Sequence, residues 1–315
     1  MDIVILDAMT LGSDIDFGMF DSLGNVTVYD STDSYQLEQR ISNCDVIIVN
    51  KIKLGKNNLS NCKNLKLICV AATGFDNIDL DFCRLNNIAV CNVVGYSTDC
   101  VAQVTVSMVL SLVNHLPVYD KSVKSGVYTK DGIQNRLIPV YHELQGKTWG
   151  IVGAGNIGKK VAEIAGCFGC DVLYFKKNFD NPACVTLPYL MEKSDIITIH
   201  LPLNEHTVNI IDKKMISLMK KEAIIVNTSR GAVWDEYYIA DAILKEKIAG
   251  MGCDVYSFEP IQPDHPFVSI MSYDNVCLTP HMAWGSYESR VRCMNEIFKN
   301  ISMFYDGVIH NRVDI

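Results

Sequence analysis

Short apolar runs alternate with amphipathic segments along most of the chain. Runs rich in β-branched residues are typical of buried strands, and apolar residues spaced three and four apart are typical of helices. Because strands that alternate with helices form a parallel sheet covered on both faces, residues 1–98 are predicted to form a small open α/β domain. Its predicted strands are Asp2–Asp7, Val26–Tyr29, Asp45–Val49, Leu65–Ala71 and Ile88–Asn92, and its predicted helices include Ser34–Ile41 and Leu80–Asn87.

The same alternation continues in the second half and predicts another doubly wound sheet. The last pattern, Ser286–Tyr305, is helical and most economically returns to the first domain. The predicted fold class is α/β with two doubly wound parallel-sheet domains. A Rossmann-type cofactor domain would span 99–285, and a smaller flavodoxin-like substrate-binding domain would combine 1–98 with 286–315, with the active site in the cleft between them. Beyond the strand before Gly153, the predicted strands are Asp171–Phe175, Asp195–His200, Ala223–Asn227, Gly250–Val255 and Asn275–Thr279.

Two segments near the start of the predicted cofactor domain depart from this alternation. Val101–Leu116 is long, apolar and nearly free of charge, which favours a segment that crosses between the domains and contributes to a homodimer. A helix buried within one chain would give the same pattern. Ser125–Glu143, which leads towards the next strand, is predicted to be irregular.

A glycine-rich turn, GAGNIG at 153–158, joins an apolar strand to a helical segment. Gly153 permits a tight turn, Gly155 lets the backbone approach a pyrophosphate, and Gly158 lets the helix pack against the strand. Free N–H groups at the helix N-terminus then face an anion. A glycine pattern alone is weak evidence, but here a strand precedes it and helical spacing follows it, so the turn predicts a dinucleotide site.

The end of the next predicted strand bears on which dinucleotide is bound. A carboxylate commonly stands there to accept hydrogen bonds from the ribose, but this chain has Lys176 and Lys177. Two ammonium groups favour a 2′-phosphate, so NADP(H) is the preferred cofactor unless both lysines are ordinary solvated surface residues. Asp180 could bend back to a ribose hydroxyl, which leaves NAD(H) possible.

Composition narrows the class of protein. The 315 residues carry a formal charge of -8, are 49% hydrophobic and 20% charged, and contain no acidic or basic block. Nucleic acid is therefore not an expected partner, because phosphate contacts need clustered Lys and Arg. The N-terminal apolar run is too short for a signal peptide, and no apolar stretch reaches the roughly twenty residues of a membrane span. We expect a cytoplasmic protein without a membrane segment.

The 12 cysteines are scattered through the apolar runs. In a long chain without an export signal they are predicted to be reduced thiols that pack as small apolar groups. Cys167 and Cys170 form the one CxxC pair of the sequence. Since no second pair completes a zinc site, no metal is predicted.

Three side chains suited to catalysis follow predicted strands of the second sheet. Arg230, Glu259 and His281 each come after a strand, on the edge where Gly153 begins the glycine turn. A guanidinium matches a carboxylate in two parallel hydrogen bonds, and an acid beside a histidine stabilises the imidazolium and fixes its tautomer. Each residue taken alone could be an ordinary surface or core residue. Together they predict a site that binds an anion and donates a proton near neutral pH.

A set of motifs that covers nearly the whole chain resembles the D-isomer-specific 2-hydroxyacid dehydrogenase family. The motifs are the glycine turn, SDIITIHLP at 194–202, NTSRG at 227–231, the stretch DVYSFEP at 254–260, and TPH at 279–281. The resemblance implies that Arg230, Glu259 and His281 are the catalytic set and that Asp254 holds the nicotinamide carboxamide. It also implies substrate contacts from Ala72, Thr73, Gly74 and Phe75, and cofactor contacts from Asn156, Ile157, Leu201, Pro202, Thr207, Thr228 and Ser229.

Within the family, the segments AATGFDNID at 71–79 and VCNVVGYST at 90–98 are most similar to those of glycerate dehydrogenases, also called hydroxypyruvate reductases. The resemblance implies NAD(P)-dependent reduction of a small 2-oxo acid to the D-2-hydroxy acid, with hydroxypyruvate or glyoxylate favoured. Phe75 stands where relatives often carry a smaller or polar side chain, so an aromatic substrate such as phenylpyruvate stays open. A nucleotide-sensing, corepressor-like protein also stays open, whereas phosphoglycerate dehydrogenase is less favoured because the chain stops soon after the last predicted helix.

Overall fold

The computed structural model describes residues 1–176 and 181–315, which divide into two compact units. The first unit comprises Met1–Ser97 and Gly285–Ile315, and the second comprises Thr98–Trp284. These bounds differ by one residue at each crossing from the predicted domains 1–98, 286–315 and 99–285. Each unit is built on a parallel sheet with helices packed against it, which confirms the predicted α/β fold class.

The strands and helices are numbered along the chain. The strands are β1 (Asp2–Ile5), β2 (Asn25–Val28), β3 (Val46–Val49), β4 (Leu67–Val70), β5 (Ala89–Cys91), β6 (Thr148–Val152), β7 (Asp171–Phe175), β8 (Ile196–Ile199), β9 (Ile224–Asn227), β10 (Gly250–Cys253) and β11 (Val276–Leu278). The helices are α1 (Ser34–Ile41), α2 (Lys56–Leu59), α3 (Leu80–Leu85), α4 (Thr98–Val113), α5 (Leu116–Lys124), α6 (Val127–Asp131), α7 (Asn156–Cys167), α8 (Leu187–Lys193), α9 (Lys213–Ser217), α10 (Glu236–Leu244) and α11 (Tyr287–Tyr305). Short 3-10 helices cover Ala8–Leu11, Gly18–Ser22, Gly231–Val233 and Pro266–Ser269.

The first unit contains a five-stranded parallel sheet in the order β2-β1-β3-β4-β5. β3 and β4 are buried along their full length, as expected of central strands in a sheet covered on both faces. The last helix, α11, packs against β4 and buries Ile297 and Ile301. Asn300 on the same helix donates a hydrogen bond from Nδ2 to the carbonyl of Asn92 (2.9 Å), so α11 is an integral part of this unit.

The second unit contains a six-stranded parallel sheet in the order β11-β10-β9-β8-β6-β7. The strand order reverses at β6, and ligands of doubly wound sheets bind at the carboxyl ends of the strands beside such a reversal. Because all strands are parallel, the segments that follow them emerge at one edge. The glycine turn, Arg230, Glu259 and His281 all lie in such segments.

The apolar segment Val101–Leu116 lies mostly in one helix and ends at a break between two helices. α4 ends at Val113 and α5 begins at Leu116, with His115 between them in a left-handed conformation (φ 50°). Pro117 in the first turn of α5 lacks the N–H that a continuous helix needs there, so the helix breaks. Among the described helices, none is by itself long and apolar enough to cross a membrane, and α4 and α5 pass that test only as a pair bent by 64°.

Ser125–Glu143 is likewise not wholly irregular. It contains the helix α6, which was predicted as part of an irregular stretch. Gly126 and Gly132 bound this helix and both have left-handed backbones (φ 77° and 66°). Glycine adopts that conformation without steric cost, so the two glycines can delimit a helix too short to give a clear apolar periodicity.

Candidate active site

The glycine turn follows β6 and leads directly into α7. Gly153 has a left-handed backbone (φ 107°), and a Cβ there would lie 2.8 Å from the backbone of His200. A Cβ at Gly158 would lie 2.1 Å from the carbonyl oxygen of Gly153. Both positions therefore require glycine for the packing of the protein itself.

Gly155 differs from the other two glycines of the turn. Its backbone is extended, and a Cβ there would meet no protein atom within 4 Å outside its own neighbours. α7 begins next, at Asn156, and the first N–H groups of this 12-residue helix, including that of Ile157, have no acceptor within the helix. An open backbone beside the positive end of a helix fits the pyrophosphate of a dinucleotide.

One of the two lysines predicted to select the cofactor reaches the glycine turn. Lys176 follows β7, and its Nζ donates a hydrogen bond to the carbonyl of Ala154 (3.1 Å). Its ammonium group is therefore held beside the turn by the protein. Lys177 and Asp180, the other residues from which the cofactor was predicted, lie outside the described residues.

The loop after β8 carries Leu201, Pro202 and Thr207. Thr207 is buried, donates from Oγ1 to the carbonyl of Pro202 (2.6 Å) and accepts the backbone N–H of Asn204 (2.8 Å). Its hydroxyl thus closes the loop on itself. The cofactor contacts of these residues remain a prediction from the resemblance.

His200, at the start of this loop, lies against the glycine turn through its backbone. The residue as a whole is half-buried, but its Nε2 is enclosed and has no hydrogen-bond partner among residues 1–176 and 181–315. Burial lowers the pKa of the His200 imidazole to about 3, so this side chain is uncharged near neutral pH. An enclosed polar nitrogen without a protein partner also fits a site that binds a polar ligand.

Asn227, the last residue of β9, shapes the turn that carries Arg230. Its Oδ1 accepts hydrogen bonds from the backbone N–H (3.0 Å) and hydroxyl (2.8 Å) of Ser229, and its Nδ2 donates to the carbonyl of Arg230 (2.9 Å). Thr228 is buried and hydrogen bonds to the Thr105 hydroxyl of α4 (2.8 Å). Arg230 is half-buried and donates from Nη1 to the carbonyl of Ser229 (2.9 Å), which holds the guanidinium at the sheet edge.

The structure brings Glu259 and His281 together from the loops after two neighbouring strands, β10 and β11. His281 Nδ1 and Glu259 Oε2 are 2.6 Å apart, and Glu259 Oε1 accepts the backbone N–H of Tyr256 (3.0 Å). The two side chains are 19% and 30% exposed, so a ligand can reach the pair. Because Nδ1 faces the carboxylate and donates to it, Nε2 is the nitrogen available to exchange a proton.

Asp254 holds the loop that carries His281. It is 1% exposed, and its Oδ1 accepts hydrogen bonds from Thr279 Oγ1 (2.6 Å) and Met282 N (2.8 Å), while Oδ2 accepts from Ala283 N (2.9 Å). His281 has a left-handed backbone (φ 54°), which costs a non-glycine residue energy and persists only where surrounding contacts impose it. Asp254 supplies these contacts, and the carboxamide contact implied by the resemblance stays a prediction.

The predicted substrate loop, 72–75, follows β4 in the first unit. The carbonyl of Ala72 accepts the N–H of Val93 (3.0 Å), and the carbonyl of Thr73 accepts from Asn92 Nδ2 (2.7 Å). Thr73 also donates from its hydroxyl to the carbonyl of Val93 (2.8 Å). Phe75 packs partly against the core of this unit. A carboxylate accepts hydrogen bonds, so only N–H or O–H groups of this loop could bind one, and the substrate contacts of 72–75 stay a prediction.

The sequence analysis missed a buried pair, Glu236 and His265, which lies behind the turn that carries Glu259. Their side chains are 3.1 Å apart, from Glu236 Oε2 to His265 Nε2. The two residues are 29 positions apart; Glu236 begins α10 and His265 precedes a 3-10 helix, so neither stands directly after a strand. Neither motif spacing nor apolar periodicity signals such a contact.

Comparison with known proteins places the chain in a family. Residues 106–283 match the family model described as D-isomer specific 2-hydroxyacid dehydrogenase, NAD binding domain. A hydroxypyruvate reductase from Blautia hydrogenotrophica is 33% identical over an alignment that covers 98% of each chain.

Solved structures extend the likeness to the whole fold. A D-lactate dehydrogenase from Aquifex aeolicus complexed with NAD and lactic acid superposes with a TM-score of 0.87 at 28% identity, covering 100% of this chain and 99% of that one. An acyclic imino acid reductase in complex with NADPH and D-Arg superposes with a TM-score of 0.88 at 28% identity, covering 99% of this chain and 100% of that one. The similar structures thus include complexes with either dinucleotide.

Proposed function

Because the chain belongs to the D-isomer-specific 2-hydroxyacid dehydrogenase family, we propose that it reduces hydroxypyruvate to D-glycerate, with His281 as the proton donor. Family membership confirms the resemblance found in the motifs and makes the protein an NAD(P)-dependent oxidoreductase of 2-hydroxy acids. The observation that carries the proposal is the 2.6 Å contact between His281 Nδ1 and Glu259 Oε2, on the sheet edge that also holds the glycine turn.

Each of three side chains has a separate task in the proposed reaction. A reduced nicotinamide, when bound, supplies the hydride. Arg230 binds the substrate carboxylate through parallel hydrogen bonds, which orients the 2-oxo group and polarises it. His281 donates its Nε2 proton to the carbonyl oxygen as negative charge develops there. Glu259 stabilises the protonated imidazole through Nδ1, and in the reverse direction the neutral imidazole accepts the proton of the hydroxyl group.

A small substrate is favoured over an aromatic one. Phe75 is partly buried and packs against the core of the first unit, so its ring is less available to stack on a substrate such as phenylpyruvate. The backbone N–H groups of Thr73 and Gly74 are proposed to contact the substrate carboxylate. The similarity to a hydroxypyruvate reductase over 98% of both chains supports the same substrate class.

Initial rates with a panel of 2-oxo acids test this function. Loss of reduced nicotinamide absorbance at 340 nm, a property of the cofactor, should give the highest kcat/KM with hydroxypyruvate, followed by glyoxylate, and lower values with pyruvate and phenylpyruvate. A preference for phenylpyruvate would replace the proposal by an aromatic 2-oxo acid reductase. Nucleotide binding without turnover of any 2-oxo acid would instead favour a nucleotide-sensing protein.

The same panel, run with NADPH and with NADH, tests the proposed preference for NADP(H). Lys176 is held beside the glycine turn by its hydrogen bond to Ala154, where an ammonium group attracts a 2′-phosphate. NADPH should therefore give the lower KM. A lower KM for NADH would mean that Lys176 stabilises the glycine turn and does not select a 2′-phosphate.

We further propose that two copies assemble through segment 116–141. α4 buries most of its apolar side chains within its own unit, so the apolar character of Val101–Leu116 is explained by intrachain packing. The following segment instead exposes apolar side chains, with Leu137 68% and Ile138 73% exposed, as at an association surface. Its exposed apolar residues are Leu116, Val123, Val127, Tyr128, Ile133, Leu137, Ile138, Val140 and Tyr141. Sedimentation equilibrium should give twice the chain mass of 35.2 kDa, and a single-chain mass would contradict this assembly.

A further inference from the structure

A second carboxylate–histidine pair lies buried in the second unit, apart from the pair that meets the substrate. Glu236 is in the first turn of α10, and His265 immediately precedes the 3-10 helix Pro266–Ser269. Their side chains are only 9% and 6% exposed, and Glu236 Oε2 lies 3.1 Å from His265 Nε2. Burial of an ionisable pair is costly unless its hydrogen bonds are satisfied, so its partners indicate what it does.

The hydrogen bonds define the protonation of this pair. His265 Nδ1 accepts the backbone N–H of Phe267 (3.2 Å), so this nitrogen carries no proton. The imidazole is therefore the neutral tautomer that donates from Nε2 to Glu236 Oε2. The other carboxylate oxygen, Oε1, accepts the backbone N–H of Ser257 (2.9 Å). The Glu236 carboxylate thus accepts from two uncharged donors that approach its two oxygens.

Ser257 belongs to the turn that orients Glu259. In that turn the preceding residue, Tyr256, donates its backbone N–H to Glu259 Oε1 (3.0 Å). The ring of Tyr256 packs edge-on against His265, with ring centroids 5.9 Å apart. A Cβ at Gly231, next to the proposed substrate anchor, would lie 2.1 Å from Ser257 N, so the Arg230 turn rests against the same peptide.

We propose that Glu236 and His265 are positioning residues that fix the Tyr256–Ser257 peptide and thereby hold the Glu259 carboxylate against His281. This inference rests on the proposed function, because it assigns a role relative to the proton donor. Glu259 is 30% exposed and lies in a turn, so its own hydrogen bonds compete with water. The buried pair anchors that turn from its inner side through a charge-assisted hydrogen bond, which is stronger than a neutral one.

The variants Glu236→Gln and His265→Asn test the role from both sides of the pair. Glutamine offers one acceptor oxygen where glutamate offers two, so either Ser257 or His265 loses its acceptor. Asparagine can still cap Phe267 N–H but is too short to reach Glu236. Both variants should lower kcat on the order of tenfold to a hundredfold, since small misplacements of a catalytic group have effects of this size. Their dissociation constants for NADPH, measured by fluorescence, should change less than about threefold, well under the 1.4 kcal/mol of a tenfold change.

Asp235→Asn is the matched control. Asp235 caps the same helix by accepting the N–H groups of Tyr237 (3.1 Å) and Tyr238 (3.2 Å), and asparagine caps helices equally well. This variant should keep the wild-type kcat. If circular dichroism shows that Glu236→Gln does not fold, the test rests on His265→Asn, in which the asparagine can still accept the Phe267 N–H.

A double-mutant cycle with Glu259→Gln separates positioning from general destabilisation. If the pair acts through Glu259, adding Glu236→Gln to Glu259→Gln should lower kcat by less than about twofold, because the interaction it supports is already lost. Losses that multiply, or a Glu236→Gln variant with wild-type kcat, would overturn the inference. Failure of the proposed function looks different, since the wild-type protein would then reduce none of the 2-oxo acids.

Discussion

Replacement of His281 by alanine is expected to leave a folded protein that binds nucleotide but reduces 2-oxo acids more slowly, on the order of a hundredfold to ten-thousandfold. The imidazole is the group placed to donate the proton, because Glu259 holds its Nδ1 at 2.6 Å and thereby assigns the transferable proton to Nε2. Without it, the developing negative charge on the substrate oxygen would have to be neutralised by water. Steady-state kcat with hydroxypyruvate and the dissociation constant of the nucleotide separate these two consequences.

The first unit offers a matched control for this variant. His310 Nε2 lies 2.6 Å from Glu296 Oε1, and the two side chains are 24% and 29% exposed, much like the pair in the site. His310→Ala therefore removes a histidine–carboxylate contact of the same length that involves none of the three side chains assigned to the reaction. It should keep kcat within about twofold, because the side-chain partners of His310 are Glu296 and Asn311. Wild-type turnover in His281→Ala, or an equal loss in His310→Ala, would refute the assignment.

The hydrophobic pattern located the strands because a parallel strand buried on both faces is a continuous apolar run. β8 and β9 lie within the predicted Asp195–His200 and Ala223–Asn227 and are shorter at one or both ends. The apolar pattern does not mark the junction of α4 and α5, because apolar residues lie on both sides of it. The helix breaks there because Pro117 lacks an N–H, a property that hydrophobicity does not reflect.

The candidate site could be predicted in outline because parallel topology brings residues after successive strands to one edge. The residues that hold its side chains in place could not be predicted. Asp254 stands in a family motif, yet both of its oxygens accept hydrogen bonds from the His281 loop. Glu236 accepts the backbone N–H of Ser257, and His265 accepts that of Phe267. Every residue except proline carries a backbone N–H, so the sequence does not show which of them is bound. The reacting residues are therefore easier to predict from a sequence than the residues that position them.

Replacement of Arg230 by lysine is expected to damage substrate binding and turnover together, unlike the loss of His281. Lysine keeps the positive charge but offers a single ammonium in place of a planar fork, so the carboxylate would lose one of its two parallel hydrogen bonds and its fixed orientation. The KM for hydroxypyruvate should rise and kcat should fall, with a combined loss in kcat/KM on the order of a hundredfold to a thousandfold. Initial rates over a range of hydroxypyruvate concentrations at saturating NADPH measure both.

Arg290→Lys is the control, because it makes the same substitution at an arginine outside the proposed site. Arg290 in the first unit also uses its guanidinium as a fork, since Nη1 and Nη2 each contact a carboxylate oxygen of Asp14. The same substitution there should lower stability, because lysine cannot make all the hydrogen bonds that the guanidinium donates to Asp14, Leu11 and Gly285, and should leave KM and kcat near wild-type values. A change confined to kcat in Arg230→Lys would mean that Arg230 acts only on the transition state and that the substrate carboxylate is bound elsewhere. The N–H groups of the 72–75 loop would then have to supply alone the ground-state binding that we assign to them together with the guanidinium.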